Sequence, residues 1–170
     1  MTDKWRKAGL LLSILMIGAA APAEASATCW NENAADAARV RDLQSRLMVT
    51  TLRCRAMGFN ILQAYNEFVR ANRPTIQAAN ATLMAQFARG HGSGAQVQYD
   101  RFTTSLANAY GADATDGEVC AQAAGVAAEA VAAQGDLPRL VEIDQRLGAT
   151  PELPGGYCPA TYATASLTDI

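Results

Sequence analysis

Lysine disappears from this chain after Lys7, histidine occurs once, at His91, and no cysteine pair has the CxxC spacing. Each gap excludes a chemistry. Without lysine there is no Schiff-base nucleophile and no phosphate-loop lysine. One histidine builds neither a Ser-His-Asp triad nor a histidine-rich metal site. Without CxxC, a thioredoxin-like redox role, a paired-thiolate zinc site and covalent haem attachment lose their signature. There is also no GxGxxG, no GxSxG and no ExxH pairing. No cofactor or metal is therefore expected, and no catalytic residue stands out.

What is present begins with an export signal. Lys4, Arg6 and Lys7 precede an apolar run from Leu10 to Ala21, then Pro22 and the small-residue tripeptide Ala25-Ser26-Ala27. That is the layout of a cleavable signal peptide over residues 1–27. The run is short for a membrane helix, which takes about 20 apolar residues. A lipoprotein signal would place Leu three residues before Cys29 and Gly or Ala directly before it. Ser26 and Thr28 stand there instead. The expected product is soluble, periplasmic or secreted, with no membrane span after signal removal.

From Thr28 onward, 11 arginines face 14 acidic residues, leaving a net charge of about −3. Scattered arginines on a weakly acidic chain give no reason to expect nucleic acid or anionic lipid as a partner. Abundant alanine and few β-branched runs favour helix. The apolar spacing predicts an all-α, up-and-down bundle of about five helices over residues 28–159, with a loose tail at 160–170.

The first helix spans 34–57, with Val40, Leu43, Leu47, Thr50 and Cys54 inward. Asp36/Arg39 and Asp42/Arg46 read as ion pairs on its solvated side. In 60–89, Arg73-Pro74 could break the helix. The apolar phase nevertheless runs unbroken through Ile61, Tyr65, Phe68, Asn72, Ile76, Ala79, Leu83 and Phe87, so one kinked helix is preferred. The turn at Gly90–Gly94, with Ser93 paired to Gln96 as a cap, leads to a helix at 95–110 with Tyr99, Phe102, Leu106 and Tyr110 inward. Thr115-Asp116-Gly117-Glu118 opens a helix to about Gln134. Its smooth alanine face suggests a central position. Asp136 caps the last helix, 137–147. Asn72 and Asn108, both close to inward faces, are candidate buried polar pins.

Four widely spaced cysteines in an exported chain imply two disulfides. If 60–89 is one rod, Cys54 and Cys120 lie at the same end of the bundle, and Cys29 with Cys158 ties the termini. If Pro74 splits the rod, Cys29–Cys120 with Cys54–Cys158 becomes the favoured pairing. The helix-to-helix bridge is expected to matter more, because a Gly-Pro tail around Cys158 can fray without opening the core.

Two polar features invite a functional reading. His91-Gly92-Ser93-Gly94 looks like the oxyanion loop of esterases, but that loop needs a parallel sheet and a nucleophile elbow. A flexible interhelix turn explains the glycines. Arg53, Arg55, Tyr65, Asn66, Glu67 and Arg70 cluster in sequence as a candidate polar pocket, against the plainer reading of a solvated face with one buried tyrosine.

Val40-Arg41-Asp42-Leu43-Gln44, Leu52-Arg53-Cys54-Arg55, Tyr65-Asn66-Glu67-Phe68-Val69 and Leu106-Ala107-Asn108 together resemble a group of small exported, disulfide-bonded helical proteins of alphaproteobacteria. Proteins of this look sometimes carry the name S-adenosyl-L-homocysteine hydrolase. The residues do not support that chemistry, which belongs to far longer cytosolic enzymes binding NAD on a glycine-rich βαβ unit. The resemblance implies no activity. The sequence is thus read as a non-catalytic exported binding or envelope protein with a protein or small-molecule partner. The alternative is a small hydrolase using dispersed carboxylates or Ser93.

Overall fold

A computed structural model describes residues 29–148 and 150–159. The expected signal peptide and tail lie outside the described residues. Among the described residues there are six helical segments: α1 (Glu32–Ala56), α2 (Leu62–Ala71), α3 (Arg73–His91), α4 (Ala95–Ala112), α5 (Gly117–Ala132) and α6 (Leu137–Arg146), with a 3₁₀ turn at Gly92–Gly94 between α3 and α4. Counting α2 and α3 as one kinked rod, this is an up-and-down bundle of five helices.

The kink falls at Asn72. Its N–H still bonds the Phe68 carbonyl at 3.1 Å, and its carbonyl accepts from Ile76 N–H at 2.9 Å. Pro74 sits exposed beside the break. The buried face runs on through Phe68, Asn72, Ile76, Ala79, Leu83 and Phe87. An unbroken apolar phase thus keeps the two arms on one side of the bundle despite the missing proline N–H.

Side-chain caps start α1, α5 and α6. Asn31, Asp116 and Asp136 each accept the backbone N–H three residues on, at 2.9 Å. These are orphan donors that would otherwise need water. The start of α4 differs from expectation. Its first turn follows the 3₁₀ turn directly and has no side-chain cap, so Ser93 does not act as one.

The bundle centre is α1, not the alanine-rich α5. α1 touches every other helix, while α5 packs mainly on α2. The residues of α1 explain this. Ala34, Ala35, Ala37 and Ala38 are all buried, covering more than one side of its first turns. A helix apolar or small all round is one enclosed by neighbours.

Two disulfides close the fold, Cys54–Cys120 with Cα atoms 5.7 Å apart and Cys29–Cys158 at 4.8 Å. This is the pairing that one kinked rod requires. Each closes a loop long enough to stabilise by about 4–5 kcal/mol in the chain-entropy model.

The terminal bridge is better anchored than its Gly-Pro surroundings suggest. Next to Cys29, Trp30 is 1% exposed and meets Phe87 edge-on at 5.6 Å. Its indole N–H donates to Pro154 O at 2.7 Å. Its backbone N–H donates to Gly156 O, and its carbonyl accepts from Cys158 N–H. The segment before Cys158 is therefore strapped to a core tryptophan.

Candidate functional site

Arg39, Asp42 and Arg46 follow one another on α1 at spacings of three and four, which places them on one face. On a helix with a solvated side they would be a surface ion-pair ladder. On this enclosed helix the same face meets α4 and α6. Asp42 is 1% exposed and Asp144, in the last turn of α6, is 0% exposed. The expected solvated pair Asp42/Arg46 is therefore half of a buried cluster.

Tyr110, from the end of α4, donates its hydroxyl to Asp42 Oδ1 at 2.6 Å. Arg39 Nη1 lies 3.6 Å from Asp144 Oδ2, close enough for an ion pair but too far for a good hydrogen bond. Among the described residues, Asp42 Oδ2 and both carboxyl oxygens of Asp144 have no hydrogen-bond donor. Burial, and then the charge of Asp42, pushes the Asp144 carboxyl up to about 8, against the weaker pull of Arg39 and Arg46. Burial also raises Asp42, opposed first by the Tyr110 hydroxyl and then by Arg46 and Arg39. Two carboxylates in one dry site do not both ionise cheaply, and they titrate as a unit. At neutral pH the pair keeps one proton, which gives an unpaired oxygen its donor. Burial and the adjacent Asp42 raise the Tyr110 phenol, so it stays a donor.

Beyond Arg46 and Tyr110 opens a cavity of about 440 Å³, bounded by α1, the α4–α5 connection, α5 and the end of α6. Thr50, Asp113, Gln122 and Arg146 supply further polar walls, and Leu47, Val119, Val126 and Leu147 the apolar ones. Arg146 is neutralised by Glu129, with two oxygens at 2.7 and 2.8 Å. Arg46 stacks over the Tyr110 ring at 5.1 Å and donates to Leu147 O at 3.0 Å. A guanidinium has five N–H donors, so most of those of Arg46 are unspent. Neither aspartate lines the cavity. Arg46 and Tyr110 stand between the pair and the open space.

The six residues of the candidate polar pocket do not share one wall. Tyr65, Asn66 and Arg70 line a shallow depression on α2, together with Val69 and Arg73. Glu67 accepts from Gln63 on the surface at 3.0 Å. Arg53 reaches the other way, to the carbonyls of Tyr110 and Gly111 at the end of α4. Arg55 is exposed. Asn72 is buried as a pin, whereas Asn108 is exposed. Ser93 and His91 are exposed before α4, while the cavity lies past its other end. The 18 residues of α4 separate them by about 27 Å at ~1.5 Å per residue. Among the described residues, no three His, Cys, Asp or Glu side chains group as a metal site.

Sequence reasoning missed Asp144, although its position carried a signal. Leu137, Leu140, Val141 and Asp144 repeat at the spacing of an inward face, so Asp144 falls where an apolar residue belongs. No family model matches the chain, and no similar curated protein or solved structure was found.

Proposed function

We propose that this chain is a non-catalytic, exported binding protein that holds a small molecule in the cavity beside Arg46. One observation carries the reading: a site-sized cavity with mixed polar and apolar walls, built mainly on helices and lined by a guanidinium with unspent donors. The two disulfides fit an oxidising compartment, and no helix among the described residues is long and apolar enough to cross a membrane. Both support periplasmic or secreted placement, as do the layout of residues 1–27 and the likeness to small exported alphaproteobacterial proteins.

The hydrolase reading has one observation in its favour, since α1 and α6 do bring two carboxylates together. Both are sealed from the cavity, however, and a general acid or base must reach the proton it transfers. Ser93 stands far from both. The arrangement favours binding over catalysis.

The test is thermal unfolding of the exported, oxidised protein across a panel of small molecules, repeated with Ala114→Trp. Ala114 lines the cavity from the exposed α4–α5 connection, so the indole fills the space without entering the core. A compound that raises the parent's melting temperature should lose that effect in the variant. Equal stabilisation of both proteins would show that binding lies elsewhere.

A further inference from the structure

The cavity has a chemical preference that follows from its back wall. We propose that it takes a small molecule with a carboxylate head and an apolar body, bound through Arg46, and that a proton held between Asp42 and Asp144 sets the strength of that hold. The proposal rests on the cavity being the ligand site.

The head group follows from charge accounting. The groups facing the aspartate pair are Arg39 and Arg46 on α1 and Tyr110 on α4, with Asp144 itself on α6. From α5, Glu129 is engaged by Arg139 and Arg146. With one proton on the pair, a single carboxylate of the pair is left behind Arg46, while Arg39 is shared between Asp144 and Asp36, one turn earlier on α1. Arg46 is the member of that group that lines the cavity. Its planar fork suits a carboxylate, and the partly enclosed site strengthens the contact relative to water. Asp113 is the acidic lining residue and is exposed, so solvent and salt screen it. The body follows from Leu47, Val119, Val126 and Leu147, which give the head group an apolar continuation.

The proton follows from the geometry of the pair. Among the described residues, three of its four oxygens have no hydrogen-bond donor, so a shared proton is the donor at hand. Losing it puts a second carboxylate behind Arg46 and lowers the positive potential that Arg46 offers the cavity. The hold on an anion should then weaken as pH rises through about 8, the range to which burial and Asp42 push Asp144. Linkage requires the reverse as well. A carboxylate seated on Arg46 favours the protonated pair, so binding near that pH takes up protons.

Octanoate and its uncharged counterpart octanamide are suitable probes, titrated calorimetrically into the oxidised protein at pH about 7 and about 9, on either side of the pair but below the free tyrosine range. Octanoate should bind about tenfold tighter than octanamide at the lower pH, the worth of one charge-assisted contact. The preference should shrink several-fold at the higher pH. Asp144→Asn, fixed in the uncharged state, should bind octanoate equally well at both. Arg46→Gln, checked for native helicity, should bind the two probes alike. Equal binding of both probes to the parent, blocked by Ala114→Trp, would leave the cavity as the ligand site and overturn the carboxylate preference. A preference that is the same at both pH values would overturn the role of the proton. Binding of neither probe would overturn both the preference and the cavity reading.

Discussion

Asn72 and the Asp42–Asp144 pair are polar groups buried to the same depth, with opposite hydrogen-bond accounts. Asn72 Nδ2 donates to Phe68 O at 2.9 Å and Ala130 O at 2.8 Å, and its Oδ1 accepts Gly135 N–H at 2.7 Å. Every strong valence of the amide is used. It fastens the α2–α3 kink to the end of α5 and the turn that follows. The aspartate pair has four carboxyl oxygens, of which Oδ1 of Asp42 alone receives a hydrogen bond. A satisfied buried group fixes one structure, whereas an unsatisfied one raises the energy of the folded state. The contrast assigns the amide to architecture. The pair, facing two guanidiniums but short of hydrogen-bond donors, lies behind the cavity, the kind of perturbed group that points to a site.

The comparison breaks most visibly at Asn72. Asn72→Leu keeps the branched outline with the same number of side-chain heavy atoms and removes all three bonds. Gly135 N–H, part-buried, then loses its partner, and the kink loses its tie to α5. A loss of about 3 kcal/mol is expected, from desolvated and unpaired polar groups. Urea unfolding measures it. A cost below about 1 kcal/mol, the net worth of one ordinary hydrogen bond, would mean that the pin is replaceable and the kink is held by packing alone.

Asp144 should respond with the opposite sign. Asp144→Asn removes a carboxylate that the fold holds unwillingly and supplies an N–H₂ donor for the unpaired oxygens. The variant should be more stable than the parent at pH 8, by about 2 kcal/mol, since each unit of raised pKa is worth about 1.4 kcal/mol and the partner carboxylate gives part of it back. The pH dependence follows the same logic. The folded chain keeps a proton on Asp144 that the unfolded chain releases above its ordinary value of 3.8. In that window the unfolded state binds fewer protons, so stability falls as pH rises from about 4 to about 8 and then levels off. Melting temperatures across this range should slope downward in the parent and flatten in Asp144→Asn. A parent that gains stability over the same window would show that the pair is well solvated or better paired than its geometry indicates.

These two regions were not equally legible in the sequence. Asn72 sits in the register Phe68–Asn72–Ile76, an inward phase with one polar member, and a polar residue in an apolar stripe announces itself. Asp42 gave the wrong signal. With Arg46 four residues on, it has the pattern of an exposed i, i+4 pair, which is correct for a helix with a wet side. The error lies in the environment of α1, not in its period. Four buried alanines in its first turns mark a helix with neighbours all round. Asp144 was readable from the phase of α6. Its meeting with Asp42 was not, because two carboxylates 102 positions apart are joined only by the packing of α6 against α1. The helices and both disulfides were legible, because periodicity, caps and a continuous phase through Pro74 are local signals. The cavity was not, since its walls come from four helices and a connection whose residues share no motif.

The smallest expected effect tests how the pair divides its charge. Tyr110 gives Asp42 its single hydrogen bond, so Asp42 is the better placed of the two to be ionised and Asp144 to keep the proton. Tyr110→Phe retains the ring under Arg46 and deletes that donor. A loss of about 1–2 kcal/mol is expected at pH 7, where the bond is made to an ionised carboxylate. Near pH 4 the loss should be smaller, because a protonated Asp42 is a weaker acceptor and can offer its own proton to Asp144. The variant also removes the hydroxyl that holds Asp42 down, so Asp42 rises further and the melting temperature should depend on pH more steeply than the parent's. Equal losses at both pH values would show that the hydroxyl serves packing rather than charge. The proton would then have no preferred place in the pair.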